Sequence, residues 1–86
     1  MARIIKVVPH NDHTITIELS NNHRIIYDMR PRLNTIRFRK LADIETFLVV
    51  RLENENTLVW NNLCQITIDE IISIIDQYFF KSHANC

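Results

Sequence analysis

The 86-residue sequence contains no glycine, only two prolines, two cysteines and one tryptophan. At average usage, about 7% glycine, a chain of this length would hold roughly six. The absence excludes a Gly-rich phosphate loop, a dinucleotide fingerprint and a glycine-hinged lid. It also shifts the left-handed backbone positions that tight turns need onto other residues, and asparagine tolerates them next best. Two cysteines are too few for a disulfide framework. Cys64 is expected as a buried, reduced thiol and Cys86 as part of a frayed end. No apolar run approaches the ~18 residues of a membrane span. The first residues are broken by Lys6 and Pro9 before a signal-peptide core can form, so a cytoplasmic location and no membrane partner are expected. The length fits one domain and neither a Rossmann pair nor a barrel enzyme.

Charge of one sign is also lacking overall. Ten Lys/Arg balance ten Asp/Glu, which argues against a chain-wide field for nucleic acid or membrane. The total conceals a division. Residues 1–42 hold eight basic and three acidic residues, and residues 43–86 hold two and seven. Self-association through opposite patches is therefore as open to this chain as a foreign partner.

Hydrophobic periodicity organises the rest. Residues 4–8 are mostly β-branched and read as a strand ending at Pro9. Pro9-His10-Asn11-Asp12 is turn chemistry. From His13 to Leu19 the pattern alternates, with Ile15, Ile17 and Leu19 on one face and Thr14, Thr16 and Glu18 on the other. Residues 24–29 form its partner strand across an Asn21-Asn22 turn. Arg30-Pro31-Arg32 ends that strand, and residues 33–42 have no clean period. Asp43 caps one helical turn over 43–47. A second hairpin is expected from strands at 48–52 and 57–60, joined through Asn54-Glu55-Asn56. Asn61-Asn62 makes a further corner. The run Thr67-Ile68-Asp69-Glu70 is a capping box in which the Thr67 hydroxyl accepts from the Glu70 amide and the Glu70 side chain reaches back. Ile68, Ile71, Ile72, Ile75, Tyr78 and Phe79 then recur at helical spacing.

These elements predict an α+β fold: an antiparallel sheet of about five strands, two hairpins plus an N-terminal strand, with one C-terminal amphipathic helix packed on it. A single domain spans 1–80, and 81–86 is a frayed tail. Ile15, Ile17, Leu19, Ile25, Tyr27, Leu48, Val50, Leu58 and Trp60 are expected beneath the helix. Ile26, Val49 and Val59 look the other way, more apolar than a solvated back face should be. That face or a sheet edge is expected to be an oligomer contact, unless the irregular segment 33–46 folds over it.

The order of features resembles the small bacterial domain-of-unknown-function 2442 family. The resemblance rests on Val8-Pro9, Tyr27-Asp28-Met29-Arg30-Pro31, then Phe38, Leu41, Asp43 and Phe47, and finally Thr57-Leu58-Val59-Trp60-Asn61-Asn62 before an acidic-capped helix. It covers residues 4 to about 75. The family's turn glycines are replaced by Asn22 and Asn56, its proline after the tryptophan by Asn61, and its later glycine by Leu63. Gln65 stands where an acidic residue is usual. The resemblance implies an α+β binding or regulatory module with no assigned catalytic residue. Some such proteins are fused to helix-turn-helix domains, and others are encoded beside a small partner in an arrangement similar to toxin–antitoxin pairs.

The candidate chemistry is sparse. His10, Asp12, His13 and His23 contain ligand atoms, but their spacing is no recognised zinc frame, and neither metal nor cofactor is expected. His83 and Cys86 are weaker candidates still. Ser20, Ser73 and Cys64 lack an adjacent base. Asp69 and Glu70 suit a helix start, and Glu53 and Glu55 flank a turn. The chain is therefore expected to be no enzyme. Trp60 and Asn62 form a possible ligand corner, although a tryptophan is more often core. The most informative polar feature is basic: Arg24, Arg30, Arg32, Arg37, Arg39 and Lys40, opposed only by Asp28. Arginines suit bidentate carboxylate or phosphate contacts. The segment can be a solvated face, a contact for an acidic partner or a second copy, or a phosphate-binding strip of a nucleic-acid-associated regulator. The protein partner ranks ahead of nucleic acid because no recognition helix or interleaved exposed aromatics accompany the arginines.

Overall fold

A computed structural model describes residues 3–73. Its elements run β1 (Ile4–Pro9), β2 (Thr14–Leu19), β3 (Arg24–Asp28), 3-10 turns at Arg30–Arg32 and Arg39–Ala42, α1 (Ile44–Leu48), β4 (Arg51–Glu53), β5 (Thr57–Trp60) and β6 (Cys64–Thr67). A second helix, α2, begins at residue 68 and is described to residue 73. Ile75, Tyr78, Phe79, the 81–86 tail and Cys86 lie outside the described residues.

The α+β class stands, but the single five-stranded sheet is corrected. Among the described residues there are two three-stranded antiparallel sheets, β1-β2-β3 and β4-β5-β6. The strand that a residue-by-residue reading omits is β6. Its four residues bury only Ile66, half-bury Cys64 and Thr67, and expose Gln65, so the alternation is too weak to stand out. It also runs straight into the helix-start signal at Thr67.

The first sheet follows its pattern. Ile15, Ile17 and Leu19 are buried along β2 while the residues between them are half-buried. In β3, Tyr27 is buried and Ile26 is exposed. In β1 a bulge between Ile4 and Lys6 breaks the register and leaves Ile5 exposed. In the second sheet β5 buries Leu58, Val59 and Trp60 in succession. Val59, expected on an open back face, instead lies in register between Arg51 and Gln65 and is buried.

Leu48, expected in a strand, is the last residue of α1 and is exposed. The physical reason is the strength of the cap. Asp43 accepts from the Thr46 amide at 3.2 Å and the Thr46 hydroxyl at 2.7 Å, which sets a helix running through residue 48. The strand cannot start until Arg51. The irregular segment does not cover the back of the first sheet, where Ile5 and Ile26 stay exposed. It sends Phe38 and Leu41 into the core instead.

The core gathers around Trp60. Its ring lies 6.3 Å from Phe47 at 25° and 6.4 Å from Phe38 edge-on at 72°. The indole N–H donates to the Phe47 carbonyl at 3.0 Å, satisfying one of the orphan carbonyls at the end of α1. His13 packs on Phe47 with centroids 4.9 Å apart, and its Nε2 is 2.9 Å from the Leu41 carbonyl. Two backbone bonds stitch the sheets and α2 together: Ile4 N–H to the Glu55 carbonyl at 2.8 Å, and Ile68 N–H to the Asn56 carbonyl at 2.7 Å.

The glycine jobs fall largely on asparagine. Asn22, Asn54 and Asn61 have φ of 69°, 54° and 50°. His13 and Glu55, neither of them an asparagine, also take positive φ, 64° and 61°. Left-handed backbone costs a Cβ-bearing residue roughly 1–2 kcal/mol, so Glu55 is the weakest-fitting residue of the turns.

Candidate functional site

The six basic candidates divide into two groups. Three are matched inside the chain. Arg24 pairs with Glu18 at 3.5 Å across the β2–β3 ladder. Arg30 forms a fork on Asp28, Nε and Nη2 each donating at 2.9 Å. Arg37 forms a second fork on Glu70, at 2.8 and 3.1 Å, and donates from Nη2 to the Gln65 carbonyl on the open edge of β6. Its guanidinium also lies 4.7 Å above the Phe38 ring. Arg37 therefore ties together the irregular segment, β6 and α2. The Glu70 amide does bond to the Thr67 hydroxyl, at 3.2 Å. The Glu70 carboxylate, however, turns to Arg37 rather than closing the capping box. These pairs are exposed, so each contributes at most about 1 kcal/mol.

The pairs shift the carboxyls as expected. The Arg37 fork holds Glu70 below its ordinary value of 4.5, and the Arg30 fork lowers Asp28. Hydrogen bonds from Thr14 lower Asp12. Burial raises the Cys64 thiol, with Arg37 opposing. Among the described residues Cys64 is a free, half-buried thiol. Burial also raises Tyr27, again opposed by an arginine, Arg32. Its hydroxyl is buried with no hydrogen-bond partner among the described residues.

The other group, Arg32, Arg39 and Lys40, forms no ion pair among the described residues. Arg39 and Lys40 line a cleft of about 240 Å³ with Ile36, Arg37, Asn62 and Leu63. Here the structure brings together residues about 23 positions apart that the sequence offers as separate candidates. The 3-10 turn at Arg39–Ala42 buries Leu41 and leaves both cations exposed. The left-handed Asn61 turns the chain after Trp60, with Leu63 N–H bonded to the Trp60 carbonyl at 2.9 Å. Asn62 and Leu63 are thereby set at the surface beside the cations. Sequence reasoning misses Ile36 and Leu63. Ile36 is 90% exposed, the most exposed large hydrophobic residue of the described chain.

Of the Trp60–Asn62 corner only Asn62 reaches this surface. Trp60 is fully buried with its one polar atom bonded internally. Arg24 begins β3 and Arg30 begins the 3-10 turn that follows it, and neither lines the cleft. A second depression, about 250 Å³, is lined by Arg24, Glu18, Ile5, Leu19, Asn22 and His23. The histidines are dispersed. His10 bonds to Thr16 at 2.7 Å, His13 faces Leu41, and His23 is in the other turn of the first sheet. Among the described residues no three His, Cys, Asp or Glu side chains converge on a metal-sized site. No helix among them is long and apolar enough to cross a membrane.

The family described as "Protein of unknown function (DUF2442)" matches residues 4–76, and the chain belongs to it. No curated protein and no solved structure matches the chain.

Proposed function

We propose that this chain is a non-enzymatic protein-interaction module, the antitoxin-like or regulatory member of a small two-protein system. It docks on an acidic partner surface through the cleft of Ile36, Arg39, Lys40, Asn62 and Leu63. The observation that carries this reading is the exposed Ile36 set beside two cations with no partner among the described residues. An apolar anchor rimmed by charge is the anatomy of a protein interface. Complementary rim charge steers and selects the partner. A nucleic-acid backbone needs the cations and has no use for so exposed an isoleucine. The module works by covering a partner's surface, with no chemistry of its own.

The test is a comparative capture from native lysate, in which wild-type protein and the Arg39→Glu/Lys40→Glu variant are each immobilised. A protein retained by the wild type and lost by the variant supports the reading. The same set retained by both removes it. Retention of nucleic acid in place of protein, weakening steeply with salt, transfers the surface to the regulator that binds phosphates.

A further inference from the structure

We infer that the open edge of β3 is a self-association surface, on which a second copy of this chain adds its own β3 antiparallel about a two-fold axis at Ile26. β3 is one edge of the first sheet. The ladder on its inner side is bracketed by Leu19 N–H to the His23 carbonyl at 2.9 Å and Met29 N–H to the His13 carbonyl at 3.0 Å. Bonded pairs alternate along an antiparallel ladder. Ile25 and Tyr27 therefore turn their backbone groups to β2, while Arg24, Ile26 and Asp28 turn theirs to the open side.

The other edges are guarded in the ways edge strands usually are. β1 carries a bulge at Ile5, ends in Pro9, and has its Ile4 amide tied to Glu55. On β6, Arg37 occupies the Gln65 carbonyl. β4 is only three residues long. Residues 24–28 contain no proline, lysine or bulge, and among the described residues nothing pairs with them except β2.

The sequence of β3 says what fits there. In Arg24-Ile25-Ile26-Tyr27-Asp28 the charge reverses about the central isoleucine. An antiparallel copy centred on Ile26 sets Arg24 opposite Asp28 of the second copy, and Asp28 opposite its Arg24. Ile26, 68% exposed, meets itself on the outer face. Ile25 meets Tyr27 on the inner face. All three outward-facing residues fall in bonded positions of the new ladder. The outer row Lys6, Glu18, Arg24, already paired at 4.0 and 3.5 Å, gains the second copy's Asp28 and keeps alternating in sign. The inner row Val7, Ile17, Ile25 gains its Tyr27 and stays apolar. Such a contact is isologous and closes as a dimer with a continuous six-stranded sheet.

Sedimentation equilibrium of the full chain tests this. The wild type should sediment at twice the 10.3 kDa of one chain. Ile26→Pro removes an amide that the fold does not use and should give a folded monomer. Arg24→Asp and Asp28→Arg each place like charges opposite one another twice per dimer and should raise the dissociation constant about tenfold. Mixed in equal amounts, the two variants restore both opposite-charge pairs and should recover wild-type affinity as a heterodimer. A wild type that sediments at 10.3 kDa overturns the inference, as does a dimer indifferent to Ile26→Pro. A mixture no tighter than its parts overturns it too. Should Asp28→Arg fail to fold without its Arg30 fork, the Ile26→Pro result decides.

Discussion

The first sheet is made of strands of six, six and five residues, the second of three, four and four. The difference in length reflects a difference in what holds each together. β2 places a buried residue at every second position and closes both of its turns within the sheet. The second sheet depends on parts distant in sequence. Trp60 is fixed by the end of α1, Gln65 by Arg37, and the β4–β5 turn by Ile4 and Ile68. The candidate cleft sits on this dependent half, on the turn that follows β5 and the 3-10 turn beside it. The first sheet offers its open edge instead. One half thus contributes a pocket assembled by tertiary contacts, and the other a repeating backbone surface.

The largest expected effect comes from removing the residue on which the second sheet converges. Trp60→Ala should cost about 3–5 kcal/mol, most of the stability of a domain this small. Thermal melting should show little cooperative unfolding left. A loss under about 1 kcal/mol would mean that the second sheet stands without its aromatic centre.

The next effect is pH-dependent. Carboxyls whose folded pKa lies below the ordinary value stabilise the protein above that value, and the contribution disappears as pH falls through the folded pKa. Glu70, lowered by Arg37, and Asp28, lowered by Arg30, both fall in this class. Stability should therefore fall below about pH 4.5. Glu70→Gln should flatten that acid limb and lower neutral stability by roughly 0.5–1 kcal/mol. Urea midpoints measured across the acid range check both statements. An unchanged acid limb would show that the fork linking α2 to the irregular segment is not formed in solution.

A smaller effect has the opposite sign. Glu55→Gly relieves a left-handed residue at φ 61° and should stabilise by up to about 1 kcal/mol, the unfolded-state entropy of glycine offsetting part of the relief. Smallest of all, Ile26→Thr in the first sheet should change monomer stability by no more than about 0.5 kcal/mol, since the position is exposed. Its melting temperature beside that of the wild type, both taken at a concentration low enough to keep the chain monomeric, checks this.

The same comparison explains what could be read in the residues. The first sheet was legible because its signals are local: period-two alternation in β2, turn asparagines, and Pro9 at the end of β1. The Asp43 cap is legible for the same reason, yet the length of α1 is not, because Leu48-Val49-Val50 reads as strand by residue type while Leu48 ends the helix. In the second sheet, β6 has too little alternation to be seen. The burial of Val59 comes from neighbours on two other strands. The candidate cleft was half legible. Arg39, Lys40 and Asn62 stood out as residue types, but their meeting depends on the left-handed Asn61 and on packing of the irregular segment. The Arg37–Glu70 fork spans 33 positions, and neither residue's sequence neighbourhood points to the other. Ile36 gave no signal because exposure is a tertiary property.

On the proposed function, the basic segment divides into cations that hold the fold and cations that are free for a partner. Thermal unfolding of Arg37→Ala beside Arg39→Glu/Lys40→Glu tests it most directly. Arg37→Ala should melt roughly 4–8 °C lower for each kcal/mol lost, with about 1 kcal/mol expected. The double charge reversal should melt within about 2–4 °C of wild type, as surface changes within roughly 0.5 kcal/mol do. If the double variant loses as much stability as Arg37→Ala, or if Arg37→Ala loses none, the division is wrong.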